Sequence, residues 1–225
     1  MTELLYQIDG YLRTFEAIVQ AVDVENHAVI LDRSAFYPTG GGQPCDLGTL
    51  TFAGQVAPLI KVKKAGSDVL HFLSSETGLP KAGTPVIGEI DWERRYPLMR
   101  THTALHILCG VIFRDFGASV TGGDMDPLDG RMDFEFETMR KELVESIEEA
   151  VNREVAADRS VRVAILPREE AFQIPDLIRT KINLLPEGIP YVRTVEIVGL
   201  DLQADGGTHV RSTAEVGAAV ERGLL

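Results

Sequence analysis

Hydrophobic and polar residues alternate in short stretches along the first part of the chain. FEAIVQAVDVENHAVILD alternates β-branched and polar residues, PTGGGQPCDLGTL is rich in turn-forming residues, and QVAPLIKVKKAGSDVLHFL resumes the alternation. A period of two, interrupted by glycine and proline, is typical of short antiparallel strands. This pattern predicts a small β-barrel or sandwich over residues 1–90.

The spacing of the hydrophobic residues changes after residue 90. An apolar helical segment follows GEIDWERRYPLMR and runs to about Phe116, with Gly117 as the expected C-terminal stop. A strand is predicted at RMDFEF, and VRVAIL and VRTVEIVGL predict two more. Because these elements lack a regular βαβ alternation, residues 91–225 are expected to form an α+β domain.

A long amphipathic helix is predicted over about residues 138–157. Its apolar residues recur every four positions, at Leu143, Ile147, Val151 and Val155. On a helix this spacing places all of them on one face, which is the face expected to be buried.

Composition narrows the class of protein. The chain has 225 residues, of which 44% are hydrophobic, so it can bury a core in one large or two small domains. It contains no apolar run of about 18 residues that would span a bilayer, and MTELLYQIDG does not resemble an export signal. Two cysteines are too few for a disulfide framework. These features lead us to expect a cytoplasmic protein without a membrane segment.

The charge balance limits the choice of partners. A formal net charge of −12 disfavours general affinity for polyanions. Any contact with nucleic acid must therefore come from a local basic patch. Arg94, Arg95 and Arg100, which precede or enter the apolar helix, could meet phosphates or be solvated surface charges.

The helix RTHTALHILCG carries the first candidate site. His102 and His106 are four positions apart, so both project from one helical face and could bind a single ion. Taken alone, an HxxxH pair is weak evidence for a metal site, because packed or surface histidines are the commoner explanation. A zinc peptidase would need glutamate after the first histidine, and Thr103 stands there. Cys109 shares the stripe but is interpreted as a small core residue.

A second spaced pair lies in DLQADGGTHV. Asp205 and His209 are also four positions apart, across a Gly-Gly that permits a tight turn. Imidazoles and a carboxylate are donors that Zn²⁺ accepts. The alternative is that Asp205 only caps the turn with its side chain.

Taken together, these motifs resemble a known family. HxxxH on a helix, followed about a hundred residues later by GGTH and then TAEVG, resembles the editing domain of alanyl-tRNA synthetase and its free-standing relatives, the AlaX family. LLYQIDGYLRTFEAIV and AFYPTGGGQPCDLGTL are similar to the medium-length AlaX proteins, which carry a β-barrel with a glycine-rich motif before the editing domain. Editing domains of threonyl-tRNA synthetase share the zinc-type site but usually lack these two glycine-rich forms.

The resemblance implies a deacylase that hydrolyses tRNA(Ala) wrongly charged with serine, and it leaves open whether glycine is also removed. It implies one Zn²⁺ per chain, bound by His102, His106 and His209. Asp205 stands where the family usually has a cysteine, so the ion could be held less tightly or be a different metal. A water held or oriented by the ion would attack the ester carbonyl, with the ion stabilising the oxyanion.

Further site residues follow from the same resemblance. Thr121 lies near the family's hydroxyl-sensing threonine, and its alternative is an ordinary strand or turn residue. Gly40, Gly41 and Gly42 would let the backbone approach the substrate, Gln43 could bind it, and Arg100 could contact tRNA. The alternative for the three glycines is a turn between barrel strands. Asp133 matches a family motif without a role that we can derive.

Two features depart from the family and keep rival hypotheses open. One is Asp205, and the other is the ending AAVERGLL, where the family usually continues through another strand, so that either the strand is missing or the sequence is shortened. A relative that binds tRNA or metal without catalysis is the main alternative. A zinc hydrolase of small esters or amides is the third hypothesis, and it predicts no dependence on tRNA.

Overall fold

The structure is a computed structural model that describes residues 1–136, 140–180, 185 and 188–217. The chain divides into two compact units, Met1–Tyr96 and Pro97–Leu225. The boundary predicted from the sequence lies at residue 90, whereas this division falls inside the helix α1, Trp92–Phe116. In the part of the chain so described, no helix combines the length and apolar character needed to cross a membrane.

The first unit is built around a closed barrel. Its strands are β1 Glu3–Leu4, β2 Thr14–Asp23, β3 Ala28–Leu31, β4 Arg33–Ser34, β5 Gly48–Phe52, β6 Gln55–Ala65, β7 Asp68–Leu73 and β8 Pro85–Ile90. Six of them close in the order β2-β3-β7-β6-β5-β8, and each neighbouring pair is antiparallel. The predicted β-barrel is confirmed, because alternate residues such as Phe15, Ala17 and Val19 fill its interior.

A buried ion pair attaches the first turn of α1 to this barrel unit. The Arg95 side chain is fully buried and pairs with Asp46 through both Nε and Nη2. Its remaining donors reach the carbonyl oxygens of Gly10, at 2.9 Å, and Ala35, at 2.7 Å. A side chain held in this way has no access to phosphate or bulk solvent, so both sequence-based interpretations of Arg95 are wrong.

The second unit is α+β, as predicted. Its further helices are α2 Lys141–Ala156 and α3 Arg168–Ala171, and its strands are β9 Val120–Asp126, β10 Asp129–Phe134, β11 Val161–Pro167, β12 Tyr191–Ile197 and β13 Asp201–Ala204. Strands β9 and β10 form an antiparallel hairpin, and β11, β12 and β13 form an antiparallel sheet in that order.

The two predicted helices of this unit are present. Helix α1 ends before Gly117, whose φ of 66° is the left-handed conformation that glycine adopts readily. Helix α2 buries Ile147, Val151 and Val155 on one face, which confirms the four-residue period. Residues 138 and 139 of the predicted range lie outside the described residues.

Candidate metal centre

Helix α1 supplies the first two histidines. His102 and His106 lie one turn apart on the same face, and their ring centroids are 5.0 Å apart. Their exposed fractions are only 5% and 6%, although imidazole is a polar group. Burial of two adjacent imidazoles requires partners, which come from a distant part of the sequence.

The turn after β13 supplies Asp205 and His209. The Gly207 N–H donates to Asp205 Oδ2 over 2.7 Å, so the carboxylate caps the turn, which is the alternative considered from the sequence. Its other oxygen, Oδ1, lies 3.5 Å from His102 Nε2 and 4.0 Å from His106 Nε2. Asp205 therefore both stabilises the turn and faces the histidines.

These four side chains form one compact donor set. One donor atom from each of His102, His106, Asp205 and His209 lies within 4.8 Å of every other. A tetrahedral zinc site with bonds of about 2.0–2.1 Å has donor atoms roughly 3.3 Å apart. Small side-chain adjustments would therefore suffice to bind one ion. Nitrogen and oxygen donors of this kind suit Zn²⁺ and also other divalent transition metals.

The ionisation of the cluster favours a bound cation. Burial lowers the pKa of His209 to about 4, and burial also holds the pKa of His102 well below its usual value. Burial would raise the pKa of Asp205, but the surrounding histidines outweigh it and hold that pKa well below its usual value. Two neutral imidazoles and one ionised carboxylate thus offer nitrogen lone pairs and a negative oxygen, which are the protonation states that bind a metal ion.

Thr103 orients His209, a role that the sequence analysis did not identify. Its Oγ1 lies 3.1 Å from His209 Nδ1 and accepts the Val210 N–H over 3.2 Å. An Nδ1–H that donates to this oxygen leaves the Nε2 lone pair facing Asp205 Oδ2, 3.0 Å away. Two acceptor atoms at that distance need a proton or a metal ion between them. Thr103 directly follows His102 in the HxxxH motif. The motif shows only that no glutamate stands at this position, and it does not indicate which side chain Thr103 contacts.

Asp201 is a second supporting carboxylate that the sequence did not reveal. Its Oδ2 lies 3.7 Å from His106 Nδ1, and its side chain also accepts from Arg179 Nε and Gln203 Nε2, at 3.2 and 2.6 Å. Burial lowers the pKa of His106, but the interaction with Asp201 and the charge of Asp205 outweigh burial and raise it. Carboxylates behind ligating histidines commonly fix the ring and increase its basicity.

Arg193 supports the turn from β12. Its Nη1 donates to the Asp205 backbone oxygen over 2.9 Å and lies 3.5 Å from Oδ2. The arginine therefore lies beside Oδ2, whereas Oδ1 faces the two histidines of α1. Cys109, by contrast, is 2% exposed, and burial raises the pKa of its thiol to about 12, in agreement with its interpretation as a core residue.

The other predicted residues of this unit do not join the cluster. Thr121 is exposed on β9 and, in the described part of the chain, forms no hydrogen bond with the four donor residues. Arg100 donates from Nε and Nη2 to the Val216 carbonyl, at 3.0 and 2.7 Å. Their proposed contacts with substrate therefore stay predictions. Asp133, which pairs with Gly122 in the hairpin and with Arg131 as an ion pair, gains no catalytic role here.

The glycine-rich motif forms a tight turn in the barrel unit. Gly41 and Gly42 have φ values of 57° and 81°, and Gly40 and Gln43 exchange two backbone hydrogen bonds across them. This two-residue hairpin turn accounts for Gly41 and Gly42 by itself. Gln43 is fully buried. Substrate contact by Gly40, Gly41, Gly42 and Gln43 remains a prediction.

Comparison with known proteins shows which families the chain resembles. Residues 2–94 match the class II (A) tRNA synthetase family. The alanine-tRNA ligase of Pyrobaculum neutrophilum is 39% identical over 225 residues, which cover 96% of this chain but 24% of the ligase. Over nearly all of its length the chain is thus similar to one part of an alanine-tRNA ligase.

Full-length relatives place it more closely. The alanyl-tRNA editing protein AlaX-M of Saccharolobus solfataricus is 42% identical over 222 residues, 98% of this chain and 92% of that protein. AlaX-M of Methanosarcina acetivorans is 38% identical over 229 residues, 99% of this chain and 93% of that protein. The chain belongs to the AlaX-M family of alanyl-tRNA editing proteins, which confirms the resemblance seen in the sequence.

Proposed function

We propose that the chain edits tRNA(Ala) by hydrolysing the ester bond to a wrongly attached serine, and that it does so with one Zn²⁺. The observation that carries the proposal is the buried donor set of His102, His106, Asp205 and His209 in a member of the AlaX-M family. When bound, Zn²⁺ would supply a positive charge that stabilises negative charge developing on the ester carbonyl oxygen.

The chain's own residues prepare this chemistry. Thr103 holds the His209 ring with Nε2 directed at Asp205, and Asp201 faces the outer nitrogen of His106. Gly207 and Arg193 hold Asp205 Oδ2, which leaves Oδ1 directed at the two helix histidines. Catalytic geometry is more effective when the groups are oriented before the substrate arrives, because no reorganisation is then needed during the reaction.

The choice of serine over alanine rests on the seryl hydroxyl. A synthetase pocket for alanine rejects an isostere with one extra hydroxyl poorly, by roughly a hundredfold in a comparable case. A second site that hydrogen-bonds the hydroxyl can discriminate by about 10⁴ or more, since alanine leaves its polar groups unpaired. Thr121 is the proposed sensor, and its exposure on β9 leaves its hydroxyl accessible.

The decisive experiment compares two substrates. Purified protein should release serine from Ser-tRNA(Ala) and leave Ala-tRNA(Ala) charged, and His106→Ala should lose this activity together with bound metal. Thr121→Val should retain the metal and begin to attack Ala-tRNA(Ala) or lose activity on Ser-tRNA(Ala). A protein that binds metal but leaves Ser-tRNA(Ala) intact would refute the proposed hydrolysis and favour a non-catalytic binder.

The partner is tested by ionic strength. If the substrate is the whole tRNA, contacts with its phosphates release counterions, so deacylation below saturation should weaken steeply as salt rises. The net charge of −12 makes this a stringent test, because the contacts must come from a local basic surface. Equal rates on seryl-adenosine and on full Ser-tRNA(Ala), or rates unaffected by salt, would exclude such a surface.

A further inference from the structure

The barrel unit contains a stretch of the chain in which every charge is positive. Residues 47–67 include Lys61, Lys63 and Lys64 of β6 and none of the chain's 34 acidic residues. Elsewhere acidic residues outnumber basic ones, which gives the whole chain its net charge of −12. The stretch is therefore opposite in charge to the rest of the molecule, as a local contact with a polyanion requires.

The three lysines are exposed on one strand. Val62 is fully buried in the barrel, so its neighbours Lys61 and Lys63 point outward by the alternation of a strand. Lys64 is exposed near the end of β6. The Lys61 Nζ lies 5.5 Å from the centroid of the Phe72 ring, and this contact leaves the positive charge uncompensated. We call Lys61, Lys63 and Lys64 the lysine surface.

The lysine surface has no counter-ion in the described part of the chain, where no carboxylate lies within ion-pair distance of it. Cations on α2 are compensated, since Lys141 pairs with Glu145 and Arg153 with Glu149. Asp68, the next acidic residue after the stretch, lies 2.9 Å from the N-terminal amino group. An anionic partner would relieve the repulsion among three adjacent charges of one sign.

The arginines that the sequence suggested for phosphate contact already donate to the protein. Arg95 is fully buried. Arg94 Nε donates to the Cys45 carbonyl over 3.2 Å. Arg100 donates from Nε and Nη2 to the Val216 carbonyl. The lysine surface therefore meets the requirement for a local basic patch better than these arginines do.

The glycine-rich turn lies beside the lysine surface. The Thr39 N–H donates to the Val62 carbonyl over 3.3 Å, which places the start of the turn next to β6. Gly41 and Gly42 are exposed, and a Cβ added at Gly41 would have no atom within 4 Å. Within the described residues, neither glycine N–H has an acceptor. Phosphate oxygens accept from lysine and from backbone N–H groups alike, so the turn extends the same kind of surface.

We propose that the lysine surface and the adjoining glycine-rich turn bind the phosphate backbone of tRNA. The proposal rests on the proposed function, which requires a local basic surface on an acidic protein, and it assigns that surface to the barrel unit. Phosphate contacts contribute affinity and orientation without reading sequence. This surface should therefore hold different tRNAs equally well and leave the choice of tRNA(Ala) to other residues.

Two triple variants test the charges. The first combines Lys61→Gln, Lys63→Gln and Lys64→Gln, and the second combines Lys61→Arg, Lys63→Arg and Lys64→Arg. Binding of uncharged tRNA(Ala) is measured by fluorescence anisotropy over a salt series. The glutamine variant should bind at least about tenfold more weakly, and the slope of log Kd against log salt should fall by about 1 for each lysine that contacts a phosphate. The arginine variant should bind like wild type, because guanidinium also contacts phosphate.

A matched control removes the same amount of charge elsewhere. Lys81→Gln, Lys141→Gln and Arg153→Gln together act at exposed positions outside β6. This control should change tRNA affinity by less than about twofold, because charges that do not contact phosphate act only through a screened field. Circular dichroism should match wild type in all three variants. An unrelated tRNA should lose affinity for the glutamine variant as much as tRNA(Ala) does.

A measurement on the wild type avoids any effect of substitution on folding. Bound tRNA should protect Lys61, Lys63 and Lys64 from acetylation by a water-soluble reagent and should leave Lys141 reactive, as read by mass spectrometry of peptides. Equal reactivity of the three lysines with and without tRNA would contradict the proposed contact.

Hydrolysis separates this inference from the proposed function. The glutamine variant should hydrolyse seryl-adenosine at the wild-type rate and Ser-tRNA(Ala) with a raised KM. A wild type that binds tRNA through the lysine surface but hydrolyses neither substrate would refute the proposed hydrolysis and support the surface. Unchanged tRNA affinity and salt slope in the glutamine variant, or an equal loss in the matched control, would overturn the surface and favour another anionic partner such as an acidic protein. A wild type without measurable affinity for tRNA would overturn both.

Discussion

The two units each bury a cluster of ionisable side chains, and the clusters differ in how completely their members are paired. In the barrel unit, Arg95 donates to Asp46 and to two backbone carbonyls, so charge and hydrogen-bonding capacity are balanced. In the second unit, ring nitrogens of three histidines converge on the carboxylate of Asp205, which Arg193 Nη1 also approaches to 3.5 Å. A buried cluster that is balanced in the first way serves the fold. A cluster in which several potential ligand atoms converge on one carboxylate, here called unbalanced, indicates a binding site.

Histidine shows the same difference. His71 in the barrel is fully buried, with Ser34 Oγ 2.7 Å from Nε2 and the Val29 carbonyl 3.2 Å from Nδ1. Both ring nitrogens are therefore occupied. The three histidines of the second unit direct nitrogen atoms at a shared carboxylate instead. Burial alone does not distinguish a structural histidine from a ligand, but the partners of the two nitrogens do.

The largest expected effect comes from breaking the balanced cluster. Asp46→Ala leaves the Arg95 guanidinium buried without its counter-ion, which should cost about 3–5 kcal/mol of stability. Trp92, the single tryptophan, lies in the barrel unit, so its fluorescence during urea unfolding reports on this unit. Arg33→Ala, which removes a half-exposed ion-pair partner, is the control and should cost about 1 kcal/mol or less. Equal losses for the two variants would contradict the distinction.

The next effect is a pH dependence of the barrel. Burial lowers the pKa of His71 to about 4, against 6.5 for the ordinary side chain. The unfolded chain therefore binds a proton that the folded chain does not, and stability should fall as pH drops from about 6.5 to about 4. The loss attributable to His71 should reach about 3 kcal/mol. It is measured as the difference in pH slope between wild type and His71→Gln, and parallel slopes would count against it.

In the unbalanced cluster, Asp205→Ala should lower zinc affinity by at least about 100-fold, since loss of even an outer partner of a ligand costs about 10–100-fold. Asp205→Cys should keep the metal and bind it more tightly, because thiolate is a softer donor that zinc readily accepts. Zinc stoichiometry under a competing chelator checks both variants. If the alanine variant equals wild type, Asp205 serves only the turn and the histidines alone hold the ion.

The smallest effect concerns the support behind the ligands. Thr103→Val removes the oxygen beside His209 Nδ1 at nearly constant volume and should lower zinc affinity by about 10–100-fold. Thr103→Ser retains the oxygen and should bind zinc nearly as well as wild type. Chelator competition measures both affinities. If both variants bind zinc as tightly as wild type, packing alone positions the His209 ring.

The local elements were predictable because each depends on neighbours in sequence. Period-two alternation predicted the barrel strands, and the four-residue recurrence from Leu143 to Val155 predicted α2, because side-chain direction repeats with the backbone. The spacing of His102 and His106 likewise defined one face of α1. What such patterns could not specify was the register of pairing, the order of strands around the barrel, or the division of the chain after Tyr96.

The sequence by itself therefore determined the elements, the two spaced motifs and the family to which they point. Only the tertiary structure decided what each side chain meets. It placed Asp205 and His209 beside a helix that lies about a hundred residues earlier in the sequence. It also placed Thr103 next to His209 Nδ1, and it buried Arg95 against Asp46. Long-range contacts of this kind depend on how the packed elements fit together, and local periodicity carries no information about that fit.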